Sequence, residues 1–289
     1  MPVISNEFLE VNIIEKGAEL TSIINKNTGL EYMWNADPAF WAKTSPVLFP
    51  IVGMLKNDTY YYEGKSYHLA RHGFARETKF TIAAREADSI TFTLSNTAST
   101  IEVYPFHFRF DITYKVINDT LSVTYKITNT GNVKLFFSVG GHPAFKIPLT
   151  GGTAYTDYYL QFDKKENASR WPISKEGLIG TEPEPLLENT DRIPLSKELF
   201  LQDALVFKNL KSSKVSLKSS ATSHGLLFDY TGFPFLGIWA AKNADFVCIE
   251  PWCGIADSVS TDQQFINKEG INKLDAGDVF ERSWSVTLF

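Results

Sequence analysis

Apolar and polar residues alternate with a period of two along much of the chain, the spacing of strands whose successive side chains face opposite sides of a sheet. The clearest run is Phe106-His107-Phe108-Arg109-Phe110-Asp111-Ile112-Thr113-Tyr114, which predicts a strand with one buried and one wet face. Shorter runs of the same kind occur at Leu9-Val11-Ile13, Ile90-Phe92-Leu94, Leu121-Val123-Tyr125-Ile127, Val215-Leu217 and Trp284-Val286-Leu288. Turn signals at Asn27-Thr28-Gly29, Asn118-Asp119, Thr130-Gly131 and Ala276-Gly277 separate them, so hairpins and antiparallel pairing are expected. Helical spacing is scarce. Asp37 to Trp41 and Ser196 to Ala204 could each hold a short turn or two, too little to cover a parallel sheet. The proline- and acid-rich piece Gly177 to Pro194 reads as a long surface excursion, because strand patterns resume behind it. The expectation is one all-β domain over residues 1–289.

Composition narrows the function classes. With 44% apolar and 14% aromatic residues among 289, the chain has material for a sizeable core, which excludes intrinsic disorder. Lys plus Arg number 28 against 33 Asp plus Glu, a net charge of −5 with no basic run, so a nucleic-acid partner is not expected. The opening MPVISNEFLE lacks the basic and apolar regions of a signal peptide, and no stretch approaches a membrane span, so a soluble cytoplasmic protein is expected. Cys248 and Cys253 are too few for a disulfide framework or a closed zinc site, and read as reduced, structural thiols. No dinucleotide fingerprint, phosphate-binding loop or internal repeat is present.

Five histidines and a few carboxylates carry the candidate chemistry. His72 sits in Arg71-His72-Gly73-Phe74-Ala75-Arg76, a titratable ring beside a turn-permitting glycine and between two guanidinium groups; a plain loop histidine is the alternative. His142 follows an apolar strand in Val139-Gly140-Gly141-His142-Pro143-Ala144-Phe145, where two glycines allow close approach of a ligand, or simply make a tight turn. His107 alternates with Arg109 and Asp111 on a polar face and reads as solvated, while His68 and His224 read as surface residues. Glu250 ends the apolar run Phe246-Val247-Cys248-Ile249. A carboxylate there must be paired, hydrogen-bonded or raised in pKa, the conditions of a general base or of a structural ion pair. Asp203 leads into Ala204-Leu205-Val206-Phe207, where a turn cap would also account for it.

Taken in order, Ser45-Pro46-Val47-Leu48-Phe49-Pro50-Ile51-Val52-Gly53, Arg71-His72-Gly73-Phe74-Ala75-Arg76, Gly141-His142-Pro143-Ala144-Phe145, Asp203-Ala204-Leu205-Val206-Phe207 and Ile249-Glu250-Pro251-Trp252 resemble the galactose mutarotase-like superfamily, in particular the LacX-like branch of the aldose 1-epimerases. The resemblance implies a large antiparallel β-supersandwich holding a sugar on its concave face, with no metal or organic cofactor. By the same resemblance Glu250 is the base at the anomeric hydroxyl, His142 the acid at the ring oxygen, His72 a second histidine at the reacting end, and Asp203 and Arg71 grip the sugar. One position departs from the pattern that the resemblance implies: Met54 follows Val52-Gly53, where members of the family often carry arginine.

The implied activity is interconversion of the α and β anomers of a free hexose by general acid and base catalysis. Two alternatives stay open. Arg71, Arg76 and Lys56 could serve a hexose phosphate, and Trp41, Trp239 and Trp252 could serve a noncatalytic carbohydrate-binding protein. A glycosidase built on Glu250 and Asp257 and a metal held by His72, His142 and Glu250 are more distant readings.

Overall fold

The computed structural model covers Met1–Phe289. Alternating burial turns the period-two runs into a nine-stranded sheet, in the order Glu184–Pro194, Tyr158–Arg170, Lys214–Ser219, Leu226–Asp229, Val279–Leu288, Thr120–Asn129, Phe108–Ile117, Ser89–Ser95 and Thr81–Arg85. All its pairings are antiparallel. The hairpin at its centre turns at Asn118-Asp119, pairing Ile117 with Thr120, and Asn118 takes the left-handed conformation that such a tight connection requires. Phe108, Phe110, Ile112, Tyr114 and Val116 are buried along one strand, as the alternation predicts. His107 lies just outside that strand, exposed, with its ring bonded to Asn96.

A six-stranded antiparallel sheet follows the order Leu205–Lys208, Phe235–Trp239, Phe246–Cys253, Val139–Gly141 and Val47–Leu48, with Ala144–Lys146 added alongside Phe246–Cys253. It packs on the inner face of the large sheet. Phe49 lies 4.8 Å from Phe110 between ring centroids, and Phe145 lies 5.9 Å from Phe228. A cluster of 70 buried residues forms the shared core. Where this layer comes closest, a Cβ on Gly141 would meet the Tyr125 hydroxyl at 2.8 Å. Beyond the small sheet lies a second cluster of 9 buried residues, including Val52, Ile179, Val206 and Trp252, and the cavity described below opens there.

Two expectations need correction. The piece Gly177 to Pro194 is not an irregular excursion: Glu184–Pro194 is an edge strand of the large sheet, and residues 177 and 179 line the cavity. The short α-helix Ala98–Val103 was not expected; Thr97 and Thr100 cap it reciprocally, a threonine standing where a capping box usually has Glu or Gln. Ser196 to Ala204 holds one 3-10 turn at Lys197–Phe200, as anticipated. No helix is long and apolar enough to cross a membrane.

Candidate functional site

The strand Phe246–Cys253 positions the site by its alternation. Val247 and Ile249 join the main core, whereas Glu250 and Trp252 line a cavity of about 200 Å³. The Trp252 ring has its space because each flanking strand carries a glycine against it, Gly140 paired with Trp252 itself and Gly237 paired with Glu250. A Cβ at Gly140 would sit 2.7 Å from Trp252 Cδ1, and one at Gly237 would sit 2.5 Å from Trp252 Cζ2. The close approach anticipated for Gly140-Gly141 is therefore made by the protein's own rings.

Glu250, His142, His72, Asp203 and Arg71 all line this one cavity, although they are spread along the chain from position 71 to position 250. Trp41, Trp239, Arg76 and Met54 share its wall. His142 Nε2 meets Glu250 Oε2 at 3.1 Å, and both residues are buried. Trp41 packs against the imidazole with ring centroids 5.0 Å apart, and Trp239 meets it edge-on at 5.6 Å.

This burial fixes the electrostatics. Removal from water pushes the Glu250 carboxyl well above its ordinary range, and the charge of Asp203 pushes the same way. Burial also lowers His142 to about 3, helped by the charges of Arg76 and Arg71. Both directions favour a pair that is uncharged in total, holding one shared proton across the 3.1 Å contact. His72 is held down as well, first by burial and then by His142, Arg76 and Arg71. Its Nδ1 accepts the Gly53 N–H at 3.0 Å, which leaves the proton of the neutral ring on Nε2. His72 and Asp203 both adopt left-handed backbone, with φ of 68° and 75°. Such conformations in non-glycine residues concentrate at functional positions. Asp203 also accepts the N–H of the adjacent Ala204 at 2.7 Å, and no N–H two or three residues on is bonded to its side chain as the capping alternative would require.

The rival constellations disperse. His107 is remote from the cavity, and the His68 ring bonds Thr59 at 3.0 Å. The Lys56 ammonium is tied to the Val259 carbonyl. Asp257 does not face Glu250 across the cavity. It forms a fully buried ion pair with Lys268 at 2.7 Å and accepts the Lys56 N–H, while its backbone bonds Met54 and Ile179. That hub holds two wall segments in place, a role that sequence spacing could not reveal. The set of donors able to converge on a metal differs from the distant alternative that the sequence offered. His142, Cys248 and Glu250 place their ligand atoms within 4.8 Å of one another, and His72 is not among them.

Sequence reading missed the segment carrying Ile173, Gly177 and Ile179, which closes one side of the cavity. The available signal was the pair of isoleucines bracketing the turn Ser174-Lys175-Glu176-Gly177.

A family model described as aldose 1-epimerase matches residues 3–265. The chromosomal LacX protein of Lactococcus lactis is 33% identical over 294 aligned residues, covering 99% of this chain and 98% of that protein. Among solved structures, a galactose mutarotase related enzyme from Lactobacillus acidophilus superimposes with a TM-score of 0.96 at 36% identity, covering 100% of this chain and 97% of its own. A galactose mutarotase-like protein from Lactobacillus casei gives 0.94 at 30% identity, with complete coverage of both. With its all-β, galactose mutarotase-like architecture and this match over nearly its full length, the chain belongs to the aldose 1-epimerase family.

Proposed function

We propose that the protein is a mutarotase, interconverting the α and β anomers of an aldose by opening and reclosing its ring. The observation that carries this reading is the contact between Glu250 and His142 inside a cavity walled by Trp41, Trp239 and Trp252. Ring opening takes a proton from the C1 hydroxyl and delivers one to the ring oxygen. Both oxygens hang on the same carbon, so the two groups serving them must be close neighbours, and a separation of 3.1 Å meets that requirement.

In this reaction Glu250 as carboxylate accepts the C1 hydroxyl proton while His142 as imidazolium protonates the ring oxygen. The C1–O ring bond breaks as the aldehyde forms. Rotation about C1–C2 presents the other face of the aldehyde, and the two groups exchange roles as the ring closes. Sugar hydroxyls entering the cavity supply the hydrogen bonds that favour the ionised form of the pair over the uncharged form of the empty site. His72 donates from Nε2, while Asp203 accepts from hydroxyls and Arg71 donates to the sugar's oxygens; together they hold the ring in register. The indole faces offer apolar surface to the C–H side of the sugar.

Polarimetry of a freshly dissolved pure anomer tests the proposal. The purified protein should accelerate the approach to equilibrium, and Glu250→Gln should abolish the acceleration while sugar binding persists. An anomerisation rate unaffected by the parent protein would leave a carbohydrate-binding protein, and a parental rate in the variant would remove Glu250 from the chemistry.

A further inference from the structure

The face of Phe246–Cys253 that carries Glu250 also carries Cys248, two positions earlier, because alternate residues of a strand share a side. Cys248 pairs across the sheet with Trp239, a residue of the cavity wall, so the thiol stands on the cavity side. Register brings His142 to the same place. Gly140 pairs with Trp252 and Ala144 with Cys248, which sets the residue midway between them level with Glu250. Trp41, Trp239 and Phe246 pack ring against ring on this face, and Cys248 has no exposed surface. A ligand entering the cavity meets His142 and Glu250 first, with the sulfur behind them.

Three donors of different chemistry thus converge. A His142 nitrogen, the Cys248 sulfur and a Glu250 oxygen all lie within 4.8 Å of one another. Zinc holds nitrogen and oxygen at about 2.0–2.2 Å and sulfur at about 2.3 Å, so the ligands around it stand roughly 3.2–3.7 Å apart. The 3.1 Å contact of His142 with Glu250 already has nearly that length. Closing the thiol onto the pair takes a shift on the order of 1 Å. Charge decides which ion such a dry place can take. In the empty site the Glu250–His142 pair sums to zero, and burial keeps the Cys248 sulfur a thiol. A dication bound by thiolate, carboxylate and neutral imidazole releases two protons, one from the pair and one from the thiol, so the ion and its three ligands again sum to zero. Magnesium and calcium call for six or more oxygens, whereas thiolate with imidazole is a donor set that suits zinc.

We infer that the floor of the cavity binds a borderline-soft divalent cation of the zinc class through Cys248, His142 and Glu250, and that its occupancy stops the reaction. The ion acts against ring opening, not in it. It takes the carboxylate that would accept the C1 proton and the imidazole that would deliver one to the ring oxygen. The binding stands on the donor geometry, while the inhibition rests on the proposed mutarotase reading.

The test titrates metal-free protein with zinc chloride in a calorimeter, without sugar, and with magnesium chloride in parallel. The parent should bind one zinc per chain, release two protons, as read from the heat in buffers of different ionisation enthalpy, and ignore magnesium. Polarimetry should then show anomerisation falling in proportion to the zinc bound and returning when a chelator is added. Cys248→Ala leaves both proton-transfer groups in place. It should keep the zinc-free rate and bind zinc at least about a hundredfold more weakly, because a lost ligand costs more than the about 10–100-fold that outer partners of a metal site are worth. No binding by the parent, or equal affinity in parent and variant, would overturn the inference. Should Cys248→Ala fail to fold, cobalt(II) chloride added to the parent decides through the intense near-ultraviolet absorption of a thiolate–cobalt bond, and a parent without that band overturns the inference as well. A parent that binds zinc yet never accelerates anomerisation would sink the mutarotase reading and leave the metal site standing. Anomerisation that proceeds equally fast with zinc bound would do the reverse.

Discussion

Replacing Glu250 by glutamine separates chemistry from stability, because the two should move in opposite directions. The side chain is 2% exposed, and burial with the charge of Asp203 raises its carboxyl well above the ordinary 4.5. In the unfolded chain it titrates near that ordinary value. Between the two values the folded state binds more protons than the unfolded one, so stability falls as pH rises through this window. Each pKa unit of upward displacement costs about 1.4 kcal/mol at neutral pH. Glutamine removes the cost and keeps the shape. In chains of 150–250 residues 1 kcal/mol moves Tm by roughly 2–4 °C, so the variant should melt above its parent at pH 7, and the gain should vanish as the pH falls toward 4.5. Over the same substitution the anomerisation rate should drop by roughly 10²–10⁴. Scanning calorimetry between pH 4 and 8 and polarimetry on one preparation measure both. A variant less stable than its parent at pH 7, by an amount independent of pH, would make Glu250 a structural ion-pair partner and refute the reasoning.

Three further outcomes follow from the packing. His142 is a base whose folded pKa is depressed from 6.5 to about 3, so its contribution to stability is complete above pH 6.5 and lost as the pH falls through about 3; His142→Asn should flatten the dependence of Tm on pH in that interval. Gly237→Ala places a methyl group 2.5 Å from the Trp252 ring. It should cost about 1–3 kcal/mol by overpacking and weaken sugar binding, as read by thermal unfolding and calorimetry. Asp257→Asn strands the buried ammonium of Lys268, which should cost about 3–5 kcal/mol and raise KM more than it lowers kcat, whereas the double substitution Asp257→Leu with Lys268→Met should recover much of the stability.

The sequence made the strands legible wherever one face meets the core and the other meets water, as along Phe108–Ile117. It failed at Glu184–Pro194, where Pro185, Pro194 and several acids read as loop. Those residues are what an edge strand carries to discourage pairing with another chain. Glu250 stood out because a carboxylate ending an apolar run must have a reason, and His142 because a turn of two glycines and a proline enclosed it. Their meeting could not be read from spacing. It depends on Val139–Gly141 lying beside Phe246–Cys253 in the small sheet, a long-range pairing that no local pattern encodes. The Asp257–Lys268 pair joins two loop positions that no periodic pattern marks, and it occupies the carboxylate that the glycosidase reading set beside Glu250.

The choice of a carboxylate with an imidazole, rather than two carboxylates, follows from how dry this site is. Glu250 and His142 are both buried, and a net charge created there during turnover would have little water to solvate it. In the proposed reaction the pair starts as carboxylate and imidazolium and ends as carboxylic acid and neutral imidazole. Both states sum to zero charge, as does the form favoured in the empty cavity. The proton inventory of the pair is unchanged by ring opening, so the protein needs no outside acid or base within a cycle, and closure restores the starting state from either face of the aldehyde. The charges that do remain in the cavity, those of Asp203, Arg71 and Arg76, lie outside the proton-transfer pair, where they can select and orient the sugar without entering the bond-making step.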